Sequence, residues 1–150
     1  MTADEFLKRI ETYDSLVEGK LNEREKLWEL ATKVTVPTDK EVVQTSGVSD
    51  KVGNIAAKLV DIENELDDII DEYIDIRNEC IDVIEQLADK PIEYKVIHKH
   101  YVLYKSYADI SIEENYSYDG IIKAKNRALS RVDAILREKP QMLETVYKSI

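Results

Sequence analysis

The 150-residue chain is 43% apolar and 35% charged, contains four Gly and three Pro, and has a formal net charge of −10. Turn-forming residues are too few for an all-β sandwich or barrel, and apolar residues are too frequent for a wholly disordered chain. No apolar run approaches the roughly 18 residues of a membrane span, and no phosphate-binding loop or nucleophile motif is present. We therefore expect a soluble cytoplasmic protein without enzymatic activity.

Metal and disulfide chemistry have little support in the sequence. The single cysteine, Cys80, excludes an internal disulfide and a cysteine-based metal cluster. His98 and His100 are two residues apart and so point to different sides of a helix, and no third histidine exists in the chain. We expect no metal and no cofactor.

The charge is distributed unevenly along the chain. The first 90 residues are strongly acidic, whereas residues 120–139 contain six basic side chains and only two acidic ones. A basic segment of this kind is suited to holding phosphate, although the acidic whole chain disfavours nonspecific binding of nucleic acid.

The N-terminal part predicts a helix over residues 4–33, because apolar residues recur at helical spacing. Thr2 and Glu5 form a capping-box pattern at its start, in which a hydroxyl is followed by a carboxylate three positions later. Residues 34–50 contain Pro37, glycine and β-branched residues, and we predict a loop there.

A second helix is predicted from Val52 to Leu87, where apolar residues alternate at spacings of three and four. A repeat sustained for so long is typical of a coiled coil, and Cys80 in this repeat is expected to be a buried structural thiol. We predict a homo-oligomer, a dimer first, joined through what we call the heptad stripe: Ile55, Leu59, Ile62, Leu66, Ile69, Tyr73, Ile76, Val83 and Leu87. The alternative is that this helix packs on the N-terminal helix of the same chain.

The chain is expected to divide near Pro91, since proline fits the first turn of a helix and interrupts an interior. Residues 1–90 would form a helical hairpin or coiled-coil arm, and residues 91–150 a domain of short helices. These helices are predicted at 92–104, 107–114 and 118–139. The fold class is therefore all-α.

The last two helices have the local signals of a helix-turn-helix. Ser106 and Ser117 can cap the two helices, and Asn115 lies in the turn, where asparagine tolerates the left-handed conformation. The second helix has an apolar stripe for packing: Ile121, Ala124, Ala128, Val132 and Ile135. Its opposite stripe consists of Asp119, Lys123, Asn126 and Ser130, of which lysine and asparagine suit phosphates and base edges.

Residues 91–132 resemble region 4 of sigma-70-type factors. The matching pattern is Ser106-Tyr107-Ala108-Asp109-Ile110, then Ser117 as a cap, Ile121, and the triplet Arg127-Ala128-Leu129. Glu114 lies where that family has an apolar residue, which leaves two alternatives: a shifted helix, or packing supplied by Ile112.

The whole chain is also similar to a family of small proteins of streptococcal and related Gram-positive phages and prophages. The shared order is an N-terminal helix, a Val43-Gln44-Thr45-Ser46-Gly47 loop, a long acidic helix and a sigma-like C-terminal segment. Its size and C-terminal design are similar to late-gene activators of the RinA and ArpU type. The resemblance implies a phage-encoded transcription regulator of late genes, located in the cytoplasm of the bacterial host.

We therefore predict double-stranded DNA as a partner and RNA polymerase as a second one, with no membrane partner. The residues expected nearest the bases are Tyr118, Asp119, Ile122, Lys123 and Asn126. Those expected on the phosphate backbone are Ser117, Lys125, Arg127 and Arg131. The alternative function is a helical interaction protein that binds host RNA polymerase or another host factor without touching DNA.

Overall fold

The computed structural model describes residues 1–35 and 45–138 of the chain. The described helices are α1 (Ala3–Thr35), α2 (Thr45–Glu85), α3 (Pro91–Ile97), α4 (Tyr107–Glu114) and α5 (Tyr118–Glu138), and a π-helical turn (His98–Val102) continues α3. These ranges contain no β-strand, which confirms the predicted all-α fold. Among the described residues, no helix has both the length and the apolar character that crossing a membrane would need.

Helix α1 begins with the predicted capping box. The amide of Glu5 donates to Thr2 Oγ1 at 3.2 Å, and the amide of Thr2 donates to Glu5 Oε2, also at 3.2 Å. Two amides at the start of the helix, which have no partner within it, are satisfied in this way. The sequence signal for the helix start is thus confirmed.

Helix α2 begins earlier than the sequence indicates. The predicted loop covers residues 34–50, but α1 continues to Thr35 and α2 starts at Thr45; residues 36–44 of that loop lie outside the described residues. Serine, glycine and threonine have weak helix propensity, yet adding residues to an existing long helix is much easier than nucleating one. The prediction was therefore wrong for residues 45–50.

The described residues 13–35 and 45–74 form one compact unit, in which α1 and α2 run antiparallel. Lys20 Nζ lies 2.7 Å from Glu65 Oε2, and one turn further along α1, Arg24 Nη1 lies 3.2 Å from Glu63 Oε1. The buried apolar side chains of α2 here belong to the heptad stripe: Leu59, Ile62 and Leu66. Part of this stripe is thus buried within a single chain, the arrangement we named as the alternative to oligomerisation.

The second compact unit combines residues 1–12 with residues 75–138 of the described chain, which differs from the predicted boundary near Pro91. The start of α1 is bonded to the C-terminal helices: the Ala3 amide donates to Asp133 Oδ1 at 2.8 Å, and the Tyr101 hydroxyl donates to Asp4 Oδ1 at 2.6 Å. The apolar side chains at this end of α1 are fully buried: Phe6, Leu7 and Ile10. The N-terminus is therefore part of the unit that carries the C-terminal helices.

Cys80 lies in the interior of this second unit, where its thiol donates to the Phe6 carbonyl at 3.5 Å. Burial is the main cause that raises the pKa of the thiol to about 11. At neutral pH the side chain is therefore a protonated, unreactive thiol, as its position in the apolar repeat predicts.

The core around α5 is formed by α3 and α4. Pro91 occupies the first turn of α3, as predicted, and the central cluster consists of Val96, Ile110, Ile121 and Ala124, with Ile92 and Tyr107 against it. Further along α5, Ala128 and Val132 are buried and Ile135 is partly buried. The predicted inward stripe of α5 is therefore confirmed, and its opposite face is turned outward.

Candidate nucleic-acid interface

Three short side chains set the ends of α4 and the start of α5. Ser106 Oγ accepts the Asp109 amide at 3.1 Å and caps α4, and Ser117 Oγ accepts the Gly120 amide at 3.0 Å and caps α5. Asn115 ends α4 in the left-handed conformation, with φ 58° and ψ 40°. All three sequence signals are confirmed: Ser106 fixes where α4 begins, and Asn115 and Ser117 fix the turn and the start of α5.

The first three turns of α5 bring the predicted base-contacting residues together on its exposed side. Tyr118 is 56% exposed, Lys123 and Asn126 are exposed, and Ile122 is partly exposed. Lys123 Nζ lies 3.1 Å from Asp119 Oδ2, and both side chains are largely in water. An exposed pair of this kind contributes little to stability, so the Lys123 ammonium can exchange its partner for a phosphate.

Lys125 and Ser117 lie at the edge of this face. Lys125 Nζ is 5.2 Å from the centroid of the Tyr107 ring, within the range of a cation–π contact. Burial raises the pKa of Tyr107 to about 12, so its ring stays neutral under the lysine. Ser117 is exposed, but its hydroxyl oxygen already accepts the capping hydrogen bond.

Arg131 is turned toward α3 rather than outward. Arg131 Nη1 lies 2.6 Å from Oε2 of Glu93, a carboxylate that is only 2% exposed, and Nη2 is paired with Asp89. The hydrogen bond from Arg131 lowers the pKa of Asp89. Two carboxylates thus pair with this guanidinium in an internal network, and the predicted phosphate contact of Arg131 stays a prediction.

Arg127 shares the same buried carboxylate but less closely. Its Nε lies 3.4 Å from Glu93 Oε1, while the side chain remains 59% exposed. Arg127 therefore keeps a surface on which a phosphate oxygen can be bound.

Glu93, which pairs with both arginines, is not among the residues predicted from the sequence. It lies three residues before Val96 and four before Ile97, both of which are fully buried. Residues three and four apart share one face of a helix, so the Glu93 carboxylate lies among apolar side chains. The matching signal is the spacing of four between Arg127 and Arg131, which puts two guanidinium groups on one side of α5. A buried carboxylate needs such partners.

Glu114 resolves the two alternatives left open by the resemblance. Helix α4 is not shifted, because it covers the predicted residues 107–114, and Ile112 does not pack inside, because it is 75% exposed. Glu114 instead forms ion pairs with two lysines. Lys99 Nζ lies 2.7 Å and Lys95 Nζ 3.4 Å from its carboxylate oxygens. Hydrogen bonding to Lys99 lowers the pKa of Glu114.

The neighbouring Glu113 binds Lys105 Nζ at 2.6 Å and Lys99 Nζ at 2.9 Å. The hydrogen bond from Lys105 is the largest cause that lowers the pKa of Glu113. The lysines of this side of the unit are thus compensated by carboxylates, so the candidate phosphate contacts are confined to α5.

The heptad stripe divides into buried and partly exposed positions. Five of its predicted members are buried within the chain: Leu59, Ile62, Leu66, Val83 and Leu87. Four retain partial exposure: Ile55, Ile69, Tyr73 and Ile76. The latter are the positions that a second chain could still cover.

The two histidines make contacts within the fold. His100 stacks on Tyr107 with ring centroids 3.9 Å apart, and its Nδ1 lies 2.8 Å from the Lys105 carbonyl oxygen. His98 stacks on Tyr94, and burial lowers the pKa of His98. Within the part of the chain that is described, no three His, Cys, Asp or Glu side chains are grouped to hold a metal ion.

Comparison of the chain with protein-family models, with curated proteins and with solved structures finds no match. The functional interpretation therefore depends on the geometry of α4, the turn and α5.

Proposed function

We propose that the protein is a transcription regulator of phage or prophage genes that binds double-stranded DNA, with the first three turns of α5 in the major groove. The observation that carries this proposal is the outward face of α5, where Tyr118, Lys123 and Asn126 are exposed while the opposite face is buried. The phage setting comes from the sequence resemblance alone.

The diameter of a helix such as α5 matches the width of the DNA major groove. An α-helix with its side chains is about 10–12 Å across, and the major groove of B-DNA is about 12 Å wide. Because Tyr118 and Asp119 in its first turn are exposed, the N-terminal end of α5 is accessible and can enter the groove first. This is how the second helix of a helix-turn-helix is placed on DNA.

The phosphate contacts are proposed for Arg127 and Lys125, together with the amides at the start of α5. A helix N-terminus favours an anion because its first amides have no intrahelical acceptor. Arg131 is left out of this set, since Glu93 and Asp89 already compensate its charge.

The experiment that tests DNA binding combines Lys123→Glu with Arg127→Gln. The control is Lys51→Gln with Lys58→Glu, which changes the net charge equally at exposed positions on α2. Binding of a fluorescent mixed-sequence duplex would be measured by anisotropy across a salt series. For the wild type, the logarithm of the binding constant should fall by about 0.9 per phosphate contact for each tenfold increase in salt.

The α5 variant should bind more weakly than the wild type and have a salt slope shallower by about one phosphate contact, or roughly 0.9, because Arg127 is the phosphate contact that it removes. The control should keep the wild-type slope. Equal affinity of the α5 variant and the control at low salt would refute the proposed DNA interface.

A second candidate function is supported by a different observation. Leu103, Ile112 and Tyr116 are exposed apolar side chains of the same compact unit, and the lysines near α4 are neutralised by Glu113 and Glu114. Such a surface suits a protein partner, of which RNA polymerase is the one the sequence resemblance implies. Binding of this type would respond little to salt, which distinguishes it from DNA binding.

Oligomerisation is proposed through the partly exposed members of the heptad stripe, among them Ile55, Ile69 and Tyr73. A dimer would address two half-sites about 34 Å apart, or one turn of DNA. Light scattering should then give twice the chain mass of 17.3 kDa. A Tyr73→Glu variant, which places a charge in the stripe, should give the mass of one chain.

A further inference from the structure

The groove-facing side chains of α5 are not the type that usually binds guanine. Arginine is the side chain that most often binds guanine, through two hydrogen bonds. The described arginines of α5 are engaged elsewhere: Arg127 and Arg131 bind Glu93, and Arg137 donates to the Asp133 carbonyl. The first three turns instead present Tyr118, Ile122 and Asn126.

The remaining cation on this face is already paired. Lys123 lies against Asp119, one turn before it on the same helix. Asp119 therefore competes with the O6 and N7 acceptors of guanine for this lysine. The pair weakens the reading of guanine by Lys123 at the position it faces.

Ile122 and Asn126 are one turn apart, so their Cβ atoms are separated by about 5–6 Å. Neighbouring bases on one DNA strand are about 3.4 Å apart. The two side chains can therefore reach adjacent base pairs. The amide of Asn126 matches N6 and N7 of adenine, and an apolar group such as Ile122 matches the methyl group of thymine.

We propose that α5 reads A·T base pairs, with Asn126 on adenine and with Ile122, flanked by Tyr118, on a thymine methyl group. This inference rests on the proposed function, because it specifies the DNA that the same face would recognise. Ile122 and Asn126 are then the residues that determine specificity, whereas Arg127 and Lys125 supply affinity without sequence preference.

The test begins with selection of bound duplexes from a library of random 20-base-pair DNA by the full chain. The enriched duplex is then made again with deoxyuridine in place of thymidine, one position at a time, which removes only the methyl group. Affinities of both forms are measured for the wild type, Ile122→Ala and Asn126→Ala. Ser130→Ala, at an exposed position one turn after Asn126, is the control variant.

The wild type should select a sequence with adjacent A·T pairs, and removal of one contacted methyl group should weaken binding about fourfold, the effect of one buried methylene-sized group. Ile122→Ala should abolish this methyl dependence. Asn126→Ala should reduce the preference for adenine by about 5- to 150-fold. Ser130→Ala should retain both preferences.

Selection of a G·C-rich sequence, or equal binding of the thymine and uracil forms, would overturn this inference while leaving DNA binding intact. Failure to retain any duplex at low salt would overturn the proposed function itself, and this inference with it. If Ile122→Ala unfolds, as judged by circular dichroism, the wild-type response to deoxyuridine and the Asn126→Ala preference still decide the question.

Discussion

Replacement of the buried carboxylate by an amide, Glu93→Gln, should lower stability and strengthen DNA binding at the same time. Glu93 is 2% exposed and holds both Arg127 and Arg131. Glutamine keeps the size of the side chain and one hydrogen-bond acceptor but removes the charge. Arg127 would then be free to turn toward a phosphate, and Arg131 would be held by Asp89 without Glu93.

The expected loss of stability depends on how exposed Arg127 and Arg131 are. Removing one member of a fully buried ion pair costs about 3–5 kcal/mol, because the remaining charge is stranded. Here the arginine side chains are 59% and 31% exposed, and Arg131 retains Asp89, so neither charge is stranded. We expect a loss of about 1–2 kcal/mol in the free energy of unfolding, close to the value of one charge-assisted hydrogen bond, and a lower Tm by about 3–6 °C.

The assay combines urea unfolding with the salt series of DNA binding, and Glu138→Gln is the control. Glu138 is exposed at the end of α5, so its replacement changes the net charge equally without touching the network. Glu93→Gln should steepen the salt slope by about 0.9 relative to that control. Unchanged stability would refute the account of the network, and an unchanged slope would show that the freed Arg127 does not reach DNA.

Three further predictions concern the fold. Because Asn115 has a φ of 58°, Asn115→Ala should lower the free energy of unfolding by about 1 kcal/mol and Asn115→Gly should not, as measured by urea unfolding; equal losses would contradict the assigned left-handed turn. The Tyr101 hydrogen bond is the largest cause that lowers the pKa of Asp4 from 3.8, so Asp4 contributes stability above that pH and loses it as the pH falls through its lower native pKa. The Tyr101→Phe variant should therefore be less stable than the wild type at pH 7, and this difference should shrink below pH 3.8; a constant difference in acid titrations followed by circular dichroism would refute the coupling. Cys80, with its pKa raised to about 11, should react with a thiol reagent only after urea unfolds the chain, and rapid labelling of the native protein would be inconsistent with its burial.

The helices and their ends were largely predictable because their signals are local. Capping by Thr2, Ser106 and Ser117 depends on side chains within three residues of the amides they bind. Asn115 likewise sets its own backbone conformation. The apolar repeat of α2 predicted a long helix in the same way, but it did not indicate which partner covers the heptad stripe.

The contacts between distant residues were not predictable from one sequence. Arg131 was assigned to phosphate from its basic surroundings, but Glu93 lies 38 residues away along the chain and only the packing of α3 on α5 brings the two together. The same holds for Ala3 and Asp133, which join the chain start to α5. Helical periodicity predicts on which face of a helix a residue lies. Tertiary packing determines which side chains that face contacts.

The placement of α5 against DNA is tested most directly by amide chemical shifts of the labelled 17.3 kDa chain during titration with the selected duplex. We predict that the largest shifts fall between Ser117 and Arg127, with little change at Leu59 and Leu66 in the other compact unit. Saturable binding with the shifts confined to residues outside α5, or no shift at any residue in low salt, would contradict the proposed interface.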